Sequence, residues 1–145
     1  MKSLLAILFL FTFFVSMNSS VLAQEAQGNV FVVTNFERAF PDDGSARELD
    51  SLTTLYVDKC FGADNQYVVS CKVLRHWWGH DNRDFIQIVE VKSWDDVTKA
   101  NQRANELFMK AWPTEQSKDE FNNANNKYFT GKHSDEIYRE VVFTK

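Results

Sequence analysis

Two β-rich runs set close together, Gln66 to Trp78 and Asp84 to Val91, constrain this chain more than any other feature. The turn-prone residues Gly79-His80-Asp81-Asn82 lie between them, so the pair reads as a hairpin. Alternation along the first run puts Tyr67, Val69, Cys71 and Val73 on one face and Val68 and Leu74 on the other. Along the second run, Phe85 and Val89 oppose Ile86 and Ile88. Both faces of the hairpin are therefore apolar, and a sheet built on it must be covered on two sides.

The rest of the chain supplies one of those covers. Asn29 to Phe36, NVFVVTNF, is a further strand that is apolar on both faces. After the turn signal Pro41-Asp42-Asp43-Gly44, Ser45 and Glu48 have the spacing of a capping box, and Leu49, Leu52, Tyr56 and Cys60 then form a helical stripe that ends near Gly62. Ser93 and Asp96 repeat the capping pattern ahead of Val97, Ala100, Ala104, Leu107 and Ala111, which predicts a helix to about Trp112. Pro113 fits the first turn of an extra helix in which Phe121, Ala124 and Tyr128 line one side before Gly131 stops it. Ile137 to Phe143, IYREVVF, is the last expected strand, and the polar HSDE run, His133 to Glu136, is expected to be a connection.

This order predicts an α+β fold, the ferredoxin-like βαββαβ plan of an antiparallel sheet with helices on one face and an extra C-terminal helix. Striped helices cover only one side of that sheet. A second copy of the same chain is an economical cover for the other, so a homodimer is expected.

The N-terminus sets the compartment. Met1-Lys2-Ser3 is a positive start, Leu4 to Val15 is apolar but for Thr12, and Val21-Leu22-Ala23 suits signal-peptidase cleavage before Gln24. Residues 1–23 are read as a signal peptide and residues 24–145 as one exported domain, periplasmic or secreted. The apolar run is shorter than the roughly 20 residues of a membrane-spanning helix, so no span is expected in the mature chain. With 16 basic and 20 acidic residues the formal charge is -4, or -5 once Lys2 is removed, and the basic residues are scattered, which argues against nucleic acid. In an oxidising compartment Cys60 and Cys71 are either bridged or two buried thiols.

The chemistry-bearing residues concentrate in RHWWGHD, Arg75 to Asp81. Its plainest reading is a hairpin tip, with Gly79 allowing a left-handed turn and the tryptophans covering the end of the core. A second reading lets one face line a ligand pocket. A metal site is not expected, because Gly79 and the strand context disfavour the helix that would bring His76 and His80 together, and neither HExxH nor paired CxxC occurs. A nucleophile elbow, a phosphate-binding glycine loop and a dinucleotide fingerprint are all absent from the sequence, and no cofactor is called for. Glu90 and Glu140 are either cavity carboxylates with raised pKa or surface partners of Lys72 and Arg139, the second being favoured.

Through its element order and the strand-to-capped-helix segment IQIVEVKSWDDVTKA, Ile86 to Ala100, the chain resembles the dimeric α+β barrel superfamily of antibiotic-biosynthesis monooxygenase-like, haem-degrading and NIPSNAP-like domains. The resemblance implies a ligand cavity between sheet and helices, and oxidation of aromatic or haem substrates in some members. The haem-degrading branch uses an asparagine on strand one, a tryptophan on the sheet and a histidine on the second helix. Asn35 matches the asparagine loosely and Trp77 and Trp78 end strand two, but there is no histidine between Ser93 and Phe129, so haem ligation is not expected. His133 would have to play a different part. The expectation is a small-molecule binding domain for an aromatic or apolar ligand, with a cofactor-independent monooxygenase-like enzyme as the alternative. The candidate ligand-binding residues are Asn35, Arg75, His76, Trp77, Trp78 and His133; no catalytic residue is assigned.

Overall fold

A computed structural model describes residues 28–79 and 84–143 of the 145. The expected signal peptide and His80 to Arg83 of the hairpin turn lie outside the described residues. The elements are β1 (Val30–Arg38), α1 (Ala46–Phe61), β2 (Val68–Arg75), β3 (Asp84–Val91), α2 (Trp94–Ala111), α3 (Glu115–Asn126) and β4 (Phe129–Arg139). They build one four-stranded sheet in the order β2-β3-β1-β4, with every neighbouring pair antiparallel. This is the ferredoxin-like α+β plan read from the sequence, including the extra helix.

The core lies between the sheet and the helices in two clusters. At one end Val30, Val89 and Val91 pack under Ala100 of α2, and at the other Leu49 of α1 and Tyr128 pack on Phe85. Each cluster joins strand residues at period two to helix residues at one-turn spacing, which is why the stripes were readable. Asn65, 1% exposed, binds the two helices together: its Nδ2 donates to the Cys60 carbonyl on α1 and to the Ala100 carbonyl on α2, each at 3.0 Å.

Local detail departs from expectation in several places. At the start of α1, Ser45 Oγ accepts from the Glu48 N–H at 3.1 Å, but the Glu48 side chain does not return to Ser45. Tyr128 takes that role instead: its hydroxyl accepts from the Ser45 N–H at 2.8 Å and donates to Glu48, which tethers α1 to the α3–β4 connection. At α2 the Ser93 hydroxyl donates to the Asp96 carboxylate rather than accepting from backbone. Pro113 precedes α3, whose cap is Thr114 in a reciprocal box with Ser117.

β2 is shorter than the run that suggested it. A register shift between Val68 and Ser70 puts Val68 with Tyr67, Cys71 and Val73 on the helix side and leaves Val69 45% exposed, so the expected assignment of Val68 and Val69 to faces is reversed. β4 begins eight residues earlier than expected and ends at Arg139, so His133 to Glu136 are strand, not connection. It is an edge strand paired only with β1, its polar side chains hide the period-two apolar signal, and charge on an edge is a usual guard against wrong pairing. Gly131, at φ +85°, lies where the β1–β4 register shifts, a backbone state that favours glycine. Cys60 and Cys71 are free thiols.

Candidate functional site

A cleft of about 270 Å³ opens between the sheet and α1 near the second core cluster. Its floor is the helix-side face of all four strands: Val73 of β2, Phe85 and Gln87 of β3, Phe36 of β1, and Phe129, Gly131 and His133 of β4. Thr53, Tyr56 and Val57 form the roof, three positions that share one face of α1 through their three- and four-residue spacing. Asn125 and Asn126, in the last turn of α3, close one side.

The walls combine an aromatic surface with a few unengaged polar groups. Phe36, Phe85 and Phe129 contact one another at ring separations of 5.2 to 6.3 Å, and Tyr56 stacks on Phe121 at 6.1 Å. Burial pushes the Tyr56 phenol up to about 12, so it stays neutral and can donate. Among the described residues, Thr53, Tyr56, Asn125 and Asn126 make no side-chain hydrogen bonds, and Gln87 makes one weak one, its Nε2 donating to Cys71 Sγ at 3.6 Å. Hydroxyl and amide groups are thus free to bond an occupant. His133 stands at the mouth, half exposed, its ring 5.9 Å from Phe36 and its Nε2 3.6 Å from Asp135 Oδ2. Asp135 is oriented in turn by the Thr34 hydroxyl, which donates to it at 2.7 Å.

Of the six residues singled out in the sequence, His133 alone lines this cleft. Arg75, at the end of β2, pairs with Asp50 of α1 at 2.5 Å. His76 is partly buried, its Nε2 has no hydrogen-bond partner, and its ring lies 2.9 Å from where a Cβ on Gly79 would be. Trp77 and Trp78 lie beyond β2, 97% and 91% exposed. Asn35 lies on the open face of the sheet, between Ile86 and Ser134 in register, with its Oδ1 buried and unpartnered. Glu90 lies on that face too, and hydrogen bonds from Ser70 and then Asn29 hold its carboxyl below the usual range, which overturns the raised-pKa reading.

The cleft residues missed in the sequence left one usable signal. Gln87 interrupts the otherwise apolar series Phe85, Val89, Val91 on the buried face of β3, and a polar residue there needs a partner or a ligand. Among the described residues, no group of three histidines, cysteines or acids could hold a metal ion.

The sequence matches no protein-family model and no curated protein. Solved structures do match. A NIPSNAP family protein of Agrobacterium tumefaciens with unknown function is 10% identical over 81% of this chain and 92% of its own, with a TM-score of 0.54. Proteins of Bordetella bronchiseptica and Caulobacter crescentus, each assigned as an antibiotic biosynthesis monooxygenase, are 9% and 13% identical with TM-scores of 0.53 and 0.52, covering 80% and 81% of this chain and 100% and 93% of theirs. The chain carries the ferredoxin-like α+β fold of these structures. At such identities the likeness speaks for the fold, and the chemistry must be argued from the cleft.

Proposed function

We propose that this protein binds a small aromatic or apolar molecule in the cleft between sheet and helices, and that it does so as an exported homodimer. The observation that carries the reading is the pairing of three phenylalanine rings on the floor with unengaged hydroxyl and amide groups on the walls. That is the composition of a small-molecule pocket, with a volume just under the usual range. A ring of one or two fused cycles fits that size, with a hydroxyl or carbonyl reaching Gln87 or Asn125. The open face supports the dimer: Phe31, Val33, Ile86 and Ile88 form its centre in register, and Leu74 and Tyr138 flank them, 49% and 55% exposed. Export rests on the N-terminal run alone, and mass spectrometry of the native protein should find Gln24 first.

A second reading, cofactor-independent oxygenation, draws on His133. A histidine at the mouth of an aromatic cleft, next to a carboxylate, is placed to take a proton from a phenol or enol. The two structural neighbours assigned as monooxygenases lend it context.

A thermal-shift screen of phenols, naphthols and quinones tests the binding reading. A true ligand at a hundredfold its Kd adds about 2.7 kcal/mol to stability. Thr53→Trp should fill the cleft and abolish the shift. A screen in which no such compound stabilises the protein, or in which Thr53→Trp responds like the parent, rejects it; oxygen uptake on a bound phenol, lost in His133→Ala, would add the enzyme.

A further inference from the structure

The end of the sheet where β1 and β2 finish carries a surface that the cleft does not use. Trp77 and Trp78 project there at 97% and 91% exposure, so neither indole is packed on its own fold. Phe40, 56% exposed, follows β1 at the same end, since β1 ends beside the start of β3 and β2 also ends there. Two guanidiniums accompany these rings. Arg38 lies over the Phe40 ring at 4.8 Å, and Arg75 is close enough to be felt by Arg38 as a like charge. One carboxylate, Asp50, is shared between them, and its ion pair is with Arg75. Among the described residues Arg38 makes no ion pair, and its Nε is buried without a hydrogen-bond acceptor.

A partly desolvated guanidinium without an acceptor calls for an anion of fork-matching geometry, and phosphate is one. Adjacent tryptophans wholly outside the core call for a medium that accepts a flat apolar ring and its N–H together. The headgroup layer of a bilayer does this, which is why tryptophan collects there. We propose that this end of the sheet docks onto an anionic phospholipid surface, with Trp77 and Trp78 entering the interfacial layer and Arg38 meeting lipid phosphate. The contact is peripheral: among the described residues no helix is long and apolar enough to cross a membrane. The charge of -4 on the whole chain opposes such binding at long range, so the contact depends on this local arrangement and weakens as salt screens the arginines.

Co-sedimentation with phosphatidylcholine vesicles, with and without phosphatidylglycerol, tests the proposal, with tryptophan emission followed alongside. The full mature chain should bind the phosphatidylglycerol vesicles and its emission should shift to the blue. The double change Trp77→Ser and Trp78→Ser removes only exposed side chains and should leave circular dichroism and the emission of the remaining Trp94 and Trp112 intact, while partitioning falls at least about tenfold. Arg38→Gln should weaken binding roughly fivefold on the anionic vesicles and less on the neutral ones, where choline balances each phosphate. The proposal is overturned if the parent binds neither vesicle, or if the double variant binds as well as the parent. It is equally overturned if the double variant changes from dimer to monomer in light scattering, because the indoles would then belong to an interface between copies.

Discussion

Asn65 is the side chain on which the roof of the cleft depends. It is 1% exposed and donates both protons of Nδ2, to Cys60 O and to Ala100 O, at 3.0 Å each. Since both partners are carbonyls, the amide orientation is forced. Cys60 O belongs to the last turn of α1 and has no helical partner of its own, whereas Ala100, inside α2, keeps its own. Asn65→Ala therefore leaves one carbonyl buried and unpaired, about 1 to 3 kcal/mol, and loses a second bond worth about 1 kcal/mol. Removing the unpartnered Oδ1 offsets part of this, so we expect a net loss of about 2 to 3 kcal/mol and a fall in Tm of roughly 10 °C. Asn65→Asp has nearly the same shape but turns a carboxylate on two carbonyl oxygens, so at neutral pH it should be worse than alanine by at least about 2 kcal/mol. Burial raises the folded-state pKa of that new carboxyl above its unfolded value of about 3.9. Its cost is then full above the folded pKa and shrinks as pH falls through it toward the unfolded one, because the acid regains one donor. Urea denaturation followed by circular dichroism at about pH 8 and pH 5 reads this directly. An Asn65→Asp variant as stable as the parent at pH 8, or one whose deficit against Asn65→Ala does not shrink on acidification, refutes the reasoning.

Ile88→Lys, at the centre of the open face, should convert the expected dimer to a folded monomer in light scattering; a parent already monomeric at micromolar concentration defeats the dimer assignment. The thiols should resist an aromatic disulfide reagent near pH 8 until denaturant is added, because burial pushes Cys60 up to about 11 and Cys71 in the same direction; fast labelling of the native protein contradicts this. Glu90 contributes stability above its unfolded pKa that is lost as pH falls through its depressed folded value, so Glu90→Gln should flatten the acid limb of the stability curve, and an unchanged acid limb counts against the Ser70 and Asn29 bonds.

How much of this was legible in the sequence varied with how strongly burial stamps a period on the residues. β1, β3, α1 and α2 each place apolar side chains under the core at a fixed spacing, and their pattern alone placed them within two residues. β4 is the opposite case. Its residues from Thr130 to Arg139 are all exposed in the single chain, so no alternation marks them, and the apolar IYREVVF run drew the expected strand toward the C-terminus. The bulge in β2 was invisible for a related reason: one extra residue swaps the faces of Val68 and Val69 without changing composition.

The site followed a different rule. RHWWGHD attracts notice because its residue types are rare, yet rarity reports nothing about convergence: its tryptophans point to solvent and His76 folds against Gly79. The cleft is instead assembled from ordinary residues drawn from α1, α3 and all four strands. Only the fold brings Thr53 and Tyr56 over Gln87 and His133. No short motif encodes such a set, because each member is placed by a different element and sequence spacing constrains only residues on the same one. Gln87 is the exception, since a polar residue at the middle of a buried apolar strand face is a local contradiction that can be seen before the fold is known. If that contradiction marks function, Gln87→Leu should stabilise the empty protein by completing the apolar floor while weakening ligand binding, the trade expected where a site is kept at the expense of the core. A Gln87→Leu variant that loses stability as well as binding would mean that the amide is held for Cys71 and not for a ligand.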